Sequence, residues 1–469
     1  MFFEILYFLI LASSVALVIM ENRNPKTAIF WVMLLTLLPG VGLVAYLLVG
    51  KNFKSSRTIK RNELNLLEQS RDNTGNGIDT DDLENPRYAK LANMMSAANH
   101  TRLYAGNDIQ IFTSFSPMFQ SMLADIAAAK DHIHIQFYII DDDEVGTQLS
   151  SLLIDKARSG VEVRVVYDSL ANWNVKRRFY KRMVAGGVKV EPFLKVLPSM
   201  MSRDVNCRTH RKIVIVDGRV GYTGGMNIAR RYRDGINGGI WRDTQVRIEG
   251  PAVKQLQLAF LADWRFCTKT LLTDSRYFPD NQPQGSGAIC QIVTSGPMDE
   301  WNTVMQGMVQ VIAQSSRYLY IQTPYFMPTE PMLLALRNAA LAGVDVRIMM
   351  PAIPDRARIM TYASRSFFKE VMTAGVKIYL YNKGFLHAKT MVCDDEFVTI
   401  GSTNIDSRSL EQNFEANAFI YSSELAIQQR DIFLADMAVS TLVDPDTWHR
   451  RPFGGKVLES IARLLTPLL

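Results

Sequence analysis

The sequence is poor in cysteine. Cys207, Cys267, Cys290 and Cys393 are its four, far apart and never in a C-x-x-C pair. That scarcity excludes a disulfide framework and a zinc cluster, and it fits a reducing surrounding for the bulk of the chain. Cys393 sits in an apolar run and reads as a small buried hydrophobe. Strong charge bias is missing too. Lys and Arg total 52 against 46 Asp and Glu, a formal net charge of +6. This mild excess suits anionic partners without choosing between phospholipid head groups and nucleic acid. The amino terminus has neither a positively charged start nor a small-x-small cleavage site before its first polar turn, which argues against a cleaved signal peptide.

What the sequence does have is length and apolar residues. At 469 residues and 48% hydrophobic, it exceeds what one core accommodates and implies two or more domains. Phe2 to Met20 is apolar with Glu4 as its only charge, and Thr27 to Gly50 carries no charge at all. Each run is about as long as a bilayer-spanning helix, so residues 1–50 are expected to form a two-helix transmembrane hairpin. Pro39-Gly40 in the second run is tolerable because neighbouring helices can satisfy freed backbone groups. Lys51, Lys54, Arg57, Lys60 and Arg61 follow the second run, against Arg23 and Lys26 in the intervening turn. The excess of basic residues places the large remainder on the cytoplasmic side of a multi-pass cell-membrane protein. Arg71 to Pro86, polar and without periodicity, reads as a flexible linker.

The rest is a duplication. His132 to Asp168 and Tyr318 to Pro351 share one plan: a β-rich run ending in Ile-Gln and aromatics, a helical stretch, Gly-Val, then "VEVRVV" or "VDVRIM". That alternation is a βαβ signature and predicts mainly parallel sheets flanked by helices, in two tandem α/β domains. "AGGVKV" answers "TAGVKI", and each is followed by a sparser match. "HRKIVIVDGRVGYTGGMN" carries His210, Lys212, Asp217, Gly225 and Asn227, and "HAKTMVCDDEFVTIGSTN" carries His387, Lys389, Asp394, Ser402 and Asn404. The histidines are 177 residues apart (387 − 210), about one domain.

On an extended strand, His210 and Lys212 point to one face, as do His387 and Lys389. The apolar residues after them mark a buried strand, and Asp217-Gly218 and Asp394-Asp395 supply turn chemistry. Each copy thus offers an imidazole, a fixed cation and, from Asn227 or Asn404, an amide donor beside small residues that let a ligand approach. That is half of a phosphate site. One H-x-K triplet is within the reach of chance; two complete copies on a duplicated scaffold are not.

These paired motifs resemble the HKD motifs of the phospholipase D superfamily. With the apolar N-terminus, the length and the sequel "NIDSRSLEQNFEANAFIY", the resemblance is to its bacterial cardiolipin synthase family. It departs at Gly225, where many members carry serine. The resemblance implies an anchor over 1–50, a basic juxtamembrane segment and linker over 51–105, and phospholipase D-like domains over 106–280 and 286–440 about a pseudo-two-fold axis. An amphipathic tail over 441–469 completes it. It implies a catalytic set of His210, Lys212, Asp217, His387, Lys389 and Asp394, with His210 as nucleophile, His387 as general acid then base, and Asp217 and Asp394 mainly structural. Asn227, Asn404, Gly225 and Ser402 are expected at the substrate phosphate. Asp243 and Glu415 are expected to orient the histidines, either within a repeat or across repeats. No metal or other cofactor is implied, since lysines supply the positive charge. The implied activity joins two phosphatidylglycerol molecules into cardiolipin and glycerol at an anionic phospholipid bilayer, with no nucleic acid partner. The alternatives on this fold are a hydrolase, another phosphatidyltransferase, a nuclease and a non-catalytic membrane scaffold.

Four features remain open at this level. His132 and His134 share a strand face without a third metal ligand nearby. "KRRFYKRM" (Lys176 to Met183) suits a solvated helix face or lipid head groups. "VLPSMM" (Val196 to Met201) suits a buried loop or one dipping into a bilayer. The amphipathic tail Lys456 to Leu469 suits a membrane surface or the protein body.

Overall fold

β-branched runs alternating with amphipathic stretches build one very wide sheet in the computed structural model, which describes residues 11–13, 15–16, 18–20, 25–46, 61–73, 77–83, 85–195, 207–236, 238–281, 287–353 and 358–466. The contacts divide the chain into two units, Met1–Thr58 with Leu194–Cys207, and Ile59–Phe193 with Arg208–Leu469.

In the first unit, helices Pro25–Leu37 and Pro39–Ala45 meet at a break. Leu38 leaves the helical conformation (φ −132°, ψ 66°) because the ring of Pro39 crowds the residue before it. Val18, Trp31, Leu35 and Tyr46 form a small core, while Ile29, Phe30, Met33, Leu37, Val41 and Val44 are each more than half exposed. Among the described residues no helix is long and apolar enough to cross a membrane. The greater part of the expected span Phe2 to Met20, the end of the second span and the basic residues Lys51, Lys54, Arg57 and Lys60 lie outside the described residues, as does Val196 to Met201.

The second unit carries a fifteen-stranded sheet in which one strand order occurs twice. From the centre outward, the first series is Tyr104–Phe112, Gln245–Glu249, Val220–Gly224, Ile213–Val216, His132–Phe137, Glu162–Asp168 and Lys189–Phe193. The second is Ala288–Ser295, Glu415–Tyr421, Phe397–Gly401, Thr390–Cys393, Tyr318–Gln322, Asp345–Pro351 and Lys377–Tyr381, with Ser440–Leu442 added at the edge. The series meet where Tyr104–Phe112 pairs antiparallel with Ala288–Ser295. Each half buries its own apolar core.

The expectation of mainly parallel sheets needs correction. Only the βαβ units are parallel, four pairings; the other ten neighbours in the sheet are antiparallel. The crossover helix Glu144–Arg158 explains the parallel part of the first half. Asp143 caps it by accepting from the N–H groups of Val145 and Gly146, and Val145, Leu149, Leu153 and Ile154 form its buried stripe. The antiparallel part follows from the turns. Asp217 and Gly218 (φ 50° and 64°), and Asp394 and Asp395 (φ 57° and 61°), occupy left-handed conformations. Such turns fold a strand directly back on itself.

The turn aspartates also staple neighbouring strands. Asp217 accepts from the backbone N–H groups of Lys130, Asp131 and His132 at 2.8, 2.8 and 2.9 Å. Asp394 accepts from Ser316, Arg317 and Tyr318 at 2.8, 2.8 and 2.9 Å. Both lie at the opposite end of the motif strand from the His-x-Lys pair, so they stand apart from the catalytic set in which they were expected. Within 51–105, Arg61–Asp72 is a helix tied to the body by Glu63 with Arg265 and by Arg71 with Gln255, and Ala89–Asn99 buries Leu91 and Met95 in the second core. His132 and His134 are packed against the helix Val253–Thr268, where Gln257 contacts both rings.

Burial pushes the Asp394 carboxyl up, but Arg87 and three backbone N–H groups outweigh it and bring it down to about 2. Asp394→Ala is therefore expected to cost about 3 kcal/mol of stability at neutral pH, read by thermal unfolding, with turnover of the folded protein within about threefold of wild type. A depressed carboxyl contributes its stability above the unfolded value of about 4 and loses it as pH falls toward 2, so the gap between the two proteins should close over that range.

Candidate active site

The His-x-Lys segments run into the buried strands Ile213–Val216 and Thr390–Cys393, and each is held by the other half. The His210 N–H donates to the Phe414 carbonyl at 2.8 Å, and the His387 N–H donates to the Arg242 carbonyl at 2.7 Å. Those acceptors immediately precede Glu415 and Asp243. The side chains cross in the same sense: His210 Nδ1 lies 3.0 and 3.1 Å from the Glu415 carboxylate, and His387 Nδ1 lies 2.6 Å from Asp243 Oδ2. Between cis and crossed pairing, the structure has crossed pairing.

The two acids hold equivalent positions despite unequal sequence spacing. Gly224 pairs with Gln245 and Gly401 with Asn417, and each acid stands two residues before its glycine's partner. Gly225 and Ser402 are the residues beside them, and neither faces a substrate as expected. The Ser402 hydroxyl donates to Glu415 and is fully buried. At Gly225 an added Cβ would stand 2.0 Å from Asp243 Oδ1. The serine braces the longer acid, and the glycine makes room for the shorter one.

Both histidines line one cavity of about 790 Å³, together with Asn227, Asn404, Arg208 and Arg408. The Asn227 side chain accepts from the Ile139 N–H at 3.1 Å and donates to the Tyr232 hydroxyl at 2.6 Å, which fixes its amide plane. Tyr138 stands edge-on to His210 with ring centroids 5.1 Å apart.

A family model described as "Cardiolipin synthase, PLD-like domain" matches the chain twice, over residues 122–264 and 308–437, and one described as "Phospholipase_D-nuclease N-terminal" matches 5–51. The chain is 37% identical to a cardiolipin synthase of Geobacillus kaustophilus, over 97% of this chain and 91% of that one. It is 37% identical to the major cardiolipin synthase ClsA of Bacillus subtilis, over 97% and 96%. The chain belongs to the cardiolipin synthase family. Its fold is also that of a phosphatidylserine synthase structure from Haemophilus influenzae, with a TM-score of 0.61 at 15% identity, covering 81% of this chain and all of that one. Members of the cardiolipin synthase family are phosphatidyltransferases of the phospholipase D superfamily, and the chain is such an enzyme.

In this family member the reacting groups are deeply buried. His210, Lys212, His387, Lys389, Asp243 and Glu415 are all under a tenth exposed. Burial, with the charges of Lys212 and Lys389, holds His210 down to about 4 against the pull of Glu415. Burial and Lys389 hold His387 down to about 3 against Asp243. Burial also lowers Lys389 to about 8, against Asp243 and Glu415, and Lys212 further below its ordinary value. Burial raises both carboxyls, yet Lys389 and His387 at Asp243, and His210 and Lys212 at Glu415, outweigh it and keep them ionised. Lys212 Nζ donates to the His210 carbonyl at 2.6 Å. Lys389 Nζ reaches both the His387 carbonyl and, at 2.9 Å, its Nδ1.

Sequence reasoning missed the cavity's arginines and aromatics. Arg208 lies two residues before His210 and Arg408 four after Asn404, the second with a buried Nε that has no hydrogen-bond partner among the described residues. Basic residues within reach of an anion-binding motif were the available signal.

Gly225→Ala is expected to drive Asp243 off His387 and lower kcat about tenfold to a hundredfold. In an Asp243→Ala background the same change should cost almost nothing further. Additive losses in that double-mutant cycle would place the role of Gly225 elsewhere.

Proposed function

We propose that the chain condenses two phosphatidylglycerol molecules into cardiolipin and glycerol through a phosphatidyl-histidine intermediate. The observation that carries this reading is the pair of imidazoles facing one cavity, each backed at Nδ1 by the other half's carboxylate. A carboxylate at Nδ1 holds that nitrogen's proton and leaves the Nε2 lone pair toward the cavity. His210, whose Nδ1 meets Glu415 and no other charged group among the described residues, suits the nucleophile. His387, with Nδ1 between Asp243 and Lys389, suits the residue that donates a proton at Nε2 and later takes one.

In the first half-reaction, His210 Nε2 bonds to phosphorus as the bond to the glycerol oxygen breaks, and His387 protonates that oxygen. In the second, His387 removes the proton from a glycerol hydroxyl of another phosphatidylglycerol. That oxygen bonds to phosphorus and the bond to His210 breaks. Lys212, Lys389, Asn227, Asn404 and Arg408 are proposed to hold the non-bridging oxygens. Transfer to lipid rather than water is proposed to rest on the burial of the reacting groups.

Residues 1–50 are proposed as a two-helix hairpin through the cell membrane, with the phospholipase D-like domains (106–280 and 286–440) on the cytoplasmic side. The uncharged run 27–50, the outward apolar side chains of helix Pro25–Leu37 and the basic cluster from Lys51 to Arg61 support this.

Purified enzyme given labelled phosphatidylglycerol should yield cardiolipin and glycerol. Phosphatidic acid without cardiolipin would sink the synthase reading in favour of hydrolysis. A lipid-protein adduct trapped by rapid detergent denaturation at mildly alkaline pH should vanish in His210→Ala; survival there with loss in His387→Ala would reverse the two roles. A pH profile checks the cation. Lys389 is charged below its lowered value, so kcat/KM should fall as pH rises through about 8; a flat profile to pH about 10 would show that its charge is not required.

A further inference from the structure

The catalytic unit ends in a helix, Phe453–Leu464, that wears its polar side inward. Glu459 and Ala462 are buried. Arg451 donates to Glu459 at 2.5 Å, and Arg463 donates to Glu370 at 2.9 Å while lying over the Phe367 ring. The Ser407 hydroxyl donates to the Thr466 carbonyl at 2.9 Å just beyond the helix. These contacts fix the helix on the body. The apolar side faces out: Phe453 is 81%, Ile461 52% and Leu464 80% exposed, with Val457 and Leu458 beside them. Positions 453, 457, 461 and 464 form one stripe along a helix. A helix of a water-soluble surface buries such a stripe, and leaving it in water costs about 25 cal/mol per Å². No described residue covers it.

Charge and position say what does. Residues 449–464 carry Arg450, Arg451, Lys456 and Arg463 against one acid, Glu459, and Glu459 is already paired. The helix packs on Arg358–Arg365, whose Met360 lines the catalytic cavity and whose Ile359 is exposed. The first half supplies a counterpart. Glu162–Asp168 holds the sheet position that Asp345–Pro351 holds in the second. The segment after it presents Trp173, 72% exposed, then the exposed Arg177, Arg178 and Lys181. Both segments leave carboxyl ends of parallel strands, the end of the sheet at which the cavity opens.

We propose that this face, with the helix Phe453–Leu464 as its main contact and Trp173 as a second, docks on an anionic phospholipid bilayer and sets the cavity beside the lipid surface. The stripe enters the acyl boundary while the exposed Arg450 and Lys456 meet head-group phosphates, the division of labour of an interfacial helix. The proposal rests on the lipid-substrate reading of the site and adds the surface through which lipid arrives.

The test uses full-length protein reconstituted in vesicles. An environment-sensitive fluorophore on Leu464→Cys, in a Cys267→Ser background, should shift to the blue and be quenched by bromine-bearing acyl chains in phosphatidylglycerol vesicles. A probe that stays water-exposed there would overturn the docking. Phe453→Ser/Ile461→Ser/Leu464→Ser should raise the apparent KM for bilayer phosphatidylglycerol about tenfold and leave turnover of dispersed short-chain phosphatidylglycerol within about twofold, which also verifies folding. An unchanged bilayer KM would overturn the proposal. So would loss of a dimer on sizing of this variant, since the stripe would then be a contact between copies. A probe that inserts while no cardiolipin forms would leave the docking intact and sink the synthase reading alone.

Discussion

Everything at this site depends on two carboxylate–imidazole pairs that cross between the halves of the sheet. Glu415 belongs to the second half and holds His210 of the first; Asp243 belongs to the first and holds His387 of the second. Neither half is a site by itself. The crossing begins in the backbone, where the N–H of each histidine is bound by the carbonyl preceding the acid that holds its ring. A rotation of one half against the other would break two backbone bonds and strand two buried carboxylates. Breaking such a pair costs about 3–5 kcal/mol, so the same bonds that aim the imidazoles also lock the halves in register. Stability and alignment of the reacting groups are one constraint here.

That constraint explains which parts were legible beforehand. The His-x-Lys pairs, the turn aspartates and the Gly-x-x-Asn closures recur at fixed spacing because each motif lies on one hairpin, where register is local. The acids were visible as candidates, but their partners were not. Asp243 stands 33 residues after His210 and Glu415 28 after His387, a mismatch that conceals their equivalence. The sheet removes it, since both are placed by the strand that pairs with Val220–Gly224 or Phe397–Gly401, and the extra residues loop out between. The parallel bias was over-read because βαβ units announce themselves in sequence, whereas antiparallel neighbours distant in the chain, such as His132–Phe137 with Ile213–Val216, do not. Gly225 and Ser402 were misplaced for a related reason. Small residues near a phosphate motif suggest ligand approach, but here the close approach is by a carboxylate from the next strand.

The asymmetry between the halves is where two copies of one motif acquire different tasks. Glu415 is braced by the Ser402 hydroxyl and turned onto His210, whose lysine donates to the His210 carbonyl and lies over the Tyr138 ring. Asp243, one methylene shorter, fills the space that Gly225 leaves and receives the N–H of Thr244 at 2.7 Å, while Lys389 reaches the ring of His387 itself. A like charge at Nδ1 opposes a second proton on His387 until something negative arrives.

Charge counting carries this one step further. With both histidines neutral, the two lysines and two carboxylates that surround them balance. A phosphodiester would bring one negative charge beside that set, where Arg208 and Arg408 also line the cavity, and a proton taken up on one imidazole would add to its compensation. One neutral and one protonated histidine is the state that such an added negative charge would favour. It is also the state that attack at phosphorus by one ring and donation by the other require. Bound substrate would in this way help two like motifs take unlike protonation states.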